Sequence, residues 1–398
     1  MSEAKAFEVL RVAVPWDSST ATNPRSDFEL AEAGRLEPTA LLANPAVSVY
    51  SIDPVNRLVS FVEIEEPDAA VSSPFFYMYQ RKAAKRVFFL DWETFFRLQE
   101  TVVPPGGILH LYSVGRCGST LLHHFFNRLP ECMCYSEPDV FFRIATLRAA
   151  RDLAYEDAVK LARGVVTMLW HKRPPAANLV AIKHRGKGIW AWREFRDAVP
   201  GARNLFVYRN PVQTIESFDG LVRYRAARYQ WLFQTPLVSP VVNGLVRLAL
   251  LSSKLSFYNS HLAKDSYADI LGRHGLYGYL ALDWISKVDS YLQLSELEPN
   301  CLAVRYEDLM TKTGEVLRRV ISYCGLQERD VEQFDSVFAR DSQEGTRLQR
   351  SGRATRYRAN EKTVAAIHSI ISRNLEVDPG FWTTPSLEKQ RKIGGKLR

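Results

Sequence analysis

A chain of 398 residues exceeds the roughly 250–300 at which one hydrophobic core stops growing, so a main domain with an appended region or a large insertion is expected. With 46% apolar and 24% charged residues, the composition is that of a folded protein and excludes a chain dominated by disorder. The formal net charge of +8 suits anionic partners in general, but the 52 Lys and Arg are dispersed among 44 Asp and Glu, which argues against a nucleic-acid-binding surface.

Residues 1–103 read as a β-rich N-terminal region. The opening stretch, MSEAKAFEVLRVAVPW, carries charges where a secretory signal needs its apolar core, so a cytoplasmic location is expected. Residues 47–52 and 58–64 are alternating, β-branched runs, and Asp53-Pro54-Val55-Asn56 between them is a hairpin turn. A second strand pair is predicted at 74–79 and 86–90, enclosing a basic stretch at 80–85 that reads as a solvated loop. Asp91 is placed to cap a short helix ending near Glu100, and Pro104-Pro105-Gly106-Gly107 then breaks the chain. A boundary falls there, followed by an α/β domain over 104–383 and a basic tail over 384–398.

Residues 108–122, ILHLYSVGRCGSTLL, read as a strand, a tight loop at Ser113–Gly118 and a helix opening at Ser119-Thr120. Backbone N–H groups converge at such a junction on the positive end of the helix dipole, where a phosphate is held without a metal. The nucleotide-hydrolase loop requires G-x-x-x-x-G-K-[ST]. Here Gly118 runs directly into Ser119, and the position five before Gly118 is Ser113, so the first glycine and the lysine are both missing. What remains is a cradle with one cation, Arg116, inside it.

From residue 108 onward short apolar runs alternate with helical patterns. Strands are predicted at 108–112, 179–183, 205–208 and 301–305, and helices at 119–128, 155–170 and 313–324, the pattern of a parallel sheet covered on both faces. Ligands of such sheets bind at the carboxyl ends of the strands, which gathers Arg116, Lys183, His184 and Arg209 onto one edge. In residues 205–218, LFVYRNPVQTIESF, Arg209 ends a strand, Asn210 is a cap, Pro211 suits the first helical position, and Ser217 follows on the same helix. This is a second phosphate site, so the ligand is expected to carry two separated phosphates. Residues 212–296 are mostly helical and rich in large side chains such as Tyr224, Trp231, Phe257 and Trp284, for which helical core is the favoured reading over an acceptor pocket. The longest apolar window, 238–251, contains Arg247 and is too short to span a bilayer. The five cysteines include no C-x-x-C pair, which fits free thiols in a reducing compartment and no zinc site. His123 and His124, on the loop helix, read as packing or surface residues.

Taken in order, Arg116-Cys117-Gly118-Ser119-Thr120, Arg209-Asn210-Pro211 and Ser217, eight residues after Arg209, resemble the sulfotransferase family that uses 3′-phosphoadenosine 5′-phosphosulfate. Lys183 at the next strand's end, Tyr306-Glu307-Asp308-Leu309 after a strand, and a late Arg350-Ser351-Gly352 are similar in order and spacing. The resemblance covers roughly 108–360 and leaves residues 1–103 outside it. It implies a P-loop-like three-layer α/β sandwich with a central, mostly parallel sheet and a helical acceptor or lid region at 212–296, to which the β-rich region is an N-terminal extension. It further implies that Arg116, Cys117, Gly118, Ser119, Thr120 and Leu121 cradle the 5′-phosphosulfate, while Arg209, Ser217 and the Arg350-Ser351-Gly352 loop hold the 3′-phosphate.

The implied activity is in-line transfer of a sulfuryl group to a hydroxyl or amine of a small-molecule acceptor, with no metal required. Arg116 would neutralise the leaving oxygen and Lys183 would assist. Cytosolic hydroxysteroid and phenol enzymes carry K-x-H where this chain has Lys183-His184, so the family's histidine is not cleanly matched. Branches with arginine in the loop place a glutamate after the loop helix, where Glu137 stands; Glu137 is therefore the first candidate for the base and His184 the second. Nothing in the residues names the acceptor or the oligomeric state. A P-loop small-molecule kinase and a nucleotide-binding scaffold without catalysis are the alternatives, the first disfavoured by the missing loop lysine and by the lack of a strand-end Asp for magnesium.

Overall fold

The computed structural model describes residues 2–15, 18, 20–225, 267–339 and 358–375. Trp231, Phe257, the Arg350-Ser351-Gly352 loop and the basic tail lie outside the described residues. The chain forms two compact units: Met1–Tyr112 with Ser119–Leu205 and Cys324–Leu326, and Ser113–Gly118 with Phe206–Tyr323 and Gln327–Arg398.

The first unit contains an antiparallel sheet of β1 (Ala4–Val12), β2 (Phe28–Leu36), β3 (Val47–Asp53), β4 (Leu58–Ile64) and β5 (Ala84–Asp91), in the order β2-β1-β5-β4-β3. The expected hairpin is β3–β4, in register at Val49↔Phe61 and Ile52↔Val59. Its turn is closed by the Asp53 carboxylate, which accepts from the N–H groups of Val55 and Asn56 at 3.0 and 3.1 Å. Asp91 caps the helix Trp92–Gln99 as expected, its side chain accepting from the Thr94 N–H at 2.8 Å.

Two expectations for this region are corrected. Residues 74–79 do not form a strand; Phe76–Ala83 is a helix that buries Phe76, Tyr77, Gln80 and Arg81, four and three residues apart. An aromatic run carries strand propensity, but here helical spacing lets both aromatic and polar side chains turn inward. Nor is the basic stretch a solvated loop, because the Arg81 side chain is 0% exposed and pairs with Asp27 at 3.3 Å. A partner 54 residues upstream is invisible to a local reading.

The second sheet runs β10-β9-β6-β8-β7, with β6 (Ile108–Ser113), β7 (Cys132–Ser136), β8 (Leu179–Lys183), β9 (Arg203–Tyr208) and β10 (Cys301–Arg305). Its described registers, β6 with β8 and β7 with β8, are parallel. Every residue of β6 and β8 is buried, as expected of strands covered on both faces. The mixed α/β class and the four predicted strands of this sheet are therefore present, and helices occupy Ser119–Phe126, Tyr155–His171 and Thr313–Cys324. β7 and the helix Asp139–Ala149 were not anticipated, since CMCYS has no β-branched residue and no alternation. Among the described residues no helix is long and apolar enough to cross a membrane.

Candidate active site

The loop between β6 and the next helix passes through left-handed backbone at Gly115 (φ 85°), Arg116 (φ 56°) and Gly118 (φ 80°). A turn of this kind can bring successive N–H groups to one side, as in the backbone nests that bind anions. Both glycines are needed on contact grounds too. A Cβ on Gly118 would lie 2.9 Å from the Tyr306 ring, and one on Gly115 would lie 2.8 Å from the Phe218 ring. Arg116 adopts the same conformation without that freedom, at a cost on the order of 1–3 kcal/mol. The loop is pinned by Val114, whose N–H donates to Val207 O at 3.1 Å and whose carbonyl accepts from Lys287 Nζ at 3.2 Å. Cys117 is fully buried, its thiol donating to Val207 O at 3.2 Å.

The second expected phosphate site lies in the same unit. Asn210 caps the helix Pro211–Arg225, its side chain accepting from the Gln213 N–H at 3.2 Å, with Pro211 at the first helical position. Arg116 Nε donates to Ser217 Oγ at 3.1 Å, and Arg209 Nη1 donates to the Arg116 carbonyl at 3.1 Å. Arg116, Arg209 and Ser217 are thus one hydrogen-bonded group. Arg209 is held by neutral partners alone: the Gln213 amide oxygen, the Arg116 carbonyl and the Tyr306 ring, 4.5 Å from the guanidinium carbon. Among the described residues no carboxylate pairs with it, so its charge remains for an anion. Tyr306, Glu307 and Trp284 support the site, the first two read from the sequence only as part of the resemblance and Trp284 only as helical core. Glu307 accepts from the Asn210 N–H and from Arg305 Nε, both at 3.1 Å, and Trp284 Nε1 donates to the Arg209 carbonyl at 3.1 Å.

In the other unit Ser119, Thr120 and Leu121 open the helix Ser119–Phe126 and are buried. Lys183 ends β8 and Glu137 follows β7, and the two meet, with Lys183 Nζ 2.6 Å from Glu137 Oε1. The Glu137 N–H donates to the Lys183 carbonyl at 2.7 Å, one step beyond the Ser136↔Lys183 register. Lys183 also donates to Ser136 Oγ at 3.1 Å. Its side chain is 2% exposed, whereas Glu137 keeps 17% and has φ 59°. Arg116 and Glu137 therefore share a conformation that side chains other than glycine rarely adopt.

His184 is placed elsewhere. It is buried, stacked on Tyr112 and Phe195, and 2.9 Å from the ring of His110. Burial, then the neighbouring His110, push its pKa well below the ordinary value. His123 is buried as well, and its Nε2 has no hydrogen-bond partner. Burial, the Lys183 charge and His124 keep it neutral.

No protein-family model matches the chain, and no curated protein matches it. Solved structures do. The sulfotransferase domain of the Synechococcus PCC 7002 olefin synthase is 15% identical, with a TM-score of 0.36 over 75% of this chain and 98% of that one. Mouse sulfotransferase SULT7A1, in complex with PAP, is 13% identical, with a TM-score of 0.39 over 78% of this chain and 97% of that one. Sulfotransferase STF9 from Mycobacterium avium is 12% identical, with a TM-score of 0.41 over 68% and 76%.

Proposed function

We propose that the protein is a sulfotransferase that takes 3′-phosphoadenosine 5′-phosphosulfate as donor and a small hydroxyl or amine compound as acceptor. The observation that carries this reading is the Arg116–Arg209–Ser217 group, two cations and a hydroxyl joined around a left-handed nest, with Arg209 held by neutral partners. The residues fit the donor. The nest from Gly115 to Gly118 suits a compact tetrahedral anion, and Arg209 with Ser217 suits a second one.

When bound, the donor supplies a sulfuryl group whose transfer gathers negative charge on its equatorial oxygens and on the leaving oxygen. Arg116 and the N–H groups of the nest would offset that charge, which is the larger part of catalysis for such a group. Glu137 would take the acceptor's proton at Oε1 or Oε2, and Lys183 would orient that carboxylate. His184, enclosed by rings, has no part in this scheme.

Thermal unfolding tests the reading. 3′-Phosphoadenosine 5′-phosphate should raise the melting temperature, and ATP with magnesium should not. Protection by ATP with magnesium alone would favour a kinase and overturn the proposal, while nucleotide protection without release of 3′-phosphoadenosine 5′-phosphate from the donor would leave a binding protein.

A further inference from the structure

The Lys183–Glu137 pair has a second pair beside it. Asp139 lies two residues after Glu137 and Arg185 two after Lys183, and Arg185 Nη1 donates to Asp139 Oδ1 at 2.7 Å. Two ion-pair rungs therefore bridge the chain leaving β7 and the chain leaving β8. The second rung is the more enclosed, with the Asp139 side chain 0% and Arg185 17% exposed. Burial alone would lower the pKa of Arg185, but Asp139, Tyr77 and Glu137 outweigh it and keep the guanidinium charged.

This second rung is anchored in the N-terminal region. The Thr22 N–H donates to Asp139 Oδ2 at 2.6 Å, so both carboxylate oxygens are engaged. Thr22 is itself tied to β3, its hydroxyl donating to Tyr50 O at 3.1 Å and its carbonyl accepting from Ser51 Oγ at 2.6 Å. Behind it Asp27 accepts from the Tyr50 hydroxyl at 2.6 Å and from Arg81 at 3.3 Å. The Tyr77 ring lies under both Arg81 and Arg185, 5.8 and 5.0 Å from their guanidinium carbons. The first rung is touched from the same region, because Ser136 Oγ donates to Pro74 O at 2.5 Å and Lys183 Nζ lies 5.8 Å from the Phe75 ring. A buried, doubly bonded ion pair of this kind is strongly destabilising to break but rigid while intact.

We propose that Asp139 and Arg185 are positioning residues for Glu137: the Thr22-anchored rung fixes the Glu137 carboxylate against Lys183 and sets the balance of charge around it, so that the N-terminal region is a working part of the acceptor side. This rests on the reading of Glu137 as the base. Besides the four charges of the rungs, the titratable groups facing them are Tyr77, Arg81, His123 and Cys134. All four stay unchanged in the variants below.

The test is carbodiimide coupling of an amine to Glu137 in the full-length protein at about pH 5, followed by peptide mass spectrometry. Asp139→Asn leaves the Arg185 charge uncompensated and should slow coupling at Glu137 about fivefold. Arg185→Gln leaves the Asp139 charge uncompensated and should speed it by a similar factor, as one unbalanced charge a few ångströms away would. The double variant should return to within about twofold of the parent. Acceleration in both single variants would mean that the rung is only structural packing, and unchanged rates would mean that it does not act on Glu137; either result overturns the proposal. Melting curves identify which of the three variants are folded at the assay temperature, and rates are compared only among those. Protection of the parent chain by 3′-phosphoadenosine 5′-phosphate, measured in parallel, reports on the sulfotransferase reading alone, and its failure would leave the coupling result standing.

Discussion

Arg209 in one unit and Lys183 and Arg185 in the other are held in opposite ways. In the nest unit Arg209 is surrounded by an amide oxygen, a carbonyl and a ring, and no carboxylate pairs with it among the described residues. In the rung unit Lys183 and Arg185 each face a carboxylate, at 2.6 and 2.7 Å. A cation held by neutral groups keeps its charge for a ligand, whereas a cation paired with a carboxylate is already neutralised and instead orders its partner. The first arrangement suits binding of an anionic donor. The second suits holding a base in one orientation.

Breaking the contrast on the nest side has the largest expected effect. Arg116→Ala should lower turnover, measured as release of 3′-phosphoadenosine 5′-phosphate from the donor, by about 10²–10³ while leaving the melting temperature of the free protein nearly unchanged. Arg209→Ala should weaken binding of that nucleotide about 100-fold by calorimetry, the loss of two charge-assisted hydrogen bonds. Wild-type turnover in the first variant or wild-type affinity in the second would remove the basis of the donor reading.

On the rung side, Glu137→Gln should reduce turnover by about 10²-fold with nucleotide protection intact, which separates proton removal from donor binding. A parallel loss of protection would show that the two functions are not divided in this way. A smaller effect is expected from Gly118→Ala, where φ 80° and the Tyr306 ring 2.9 Å from the new Cβ both resist the methyl group. The strain is on the order of 1–3 kcal/mol and should appear as a lowered melting temperature and weaker nucleotide protection together.

The smallest effect at neutral pH comes from the buried histidines. Burial pushes the pKa of His110 from its ordinary 6.5 down to about 3, so the folded chain holds it neutral. An unfolded chain binds a proton there below about 6.5, and so takes up more protons than the folded chain as pH falls. Stability should therefore be full above about pH 6.5, decline toward pH 3 and level off below it. Urea midpoints across this range check the slope, and His110→Phe should flatten it.

How far the sequence could be read follows from the range of each interaction. The β6, β8, β9 and β10 strands, the Asp91 cap and the Asn210–Pro211 helix start are local patterns, and each appears where its residues put it. β1 and β2 carry charges at many positions, which masks the strand pattern in a stretch such as KAFEVLRV. The helix Phe76–Ala83 reads as a strand because aromatic content outweighs spacing in so short a run. Glu137 and Lys183 were each named from the sequence, but their contact spans 46 residues and depends on a strand, β7, with no pattern of its own. Asp139 had no signal at all. Its partners, Thr22 and Arg185, are 117 residues upstream and 46 downstream, and only the folded chain brings them together.

The thiol of Cys117 carries a further consequence for the nest. It is fully buried and donates to the Val207 carbonyl. Peroxide or an alkylating reagent meets protein before it meets sulfur, so a cysteine at the centre of the anion loop need not make the loop a redox sensor. Peroxide at concentrations that oxidise exposed thiols should leave Cys117 reduced until the fold itself opens.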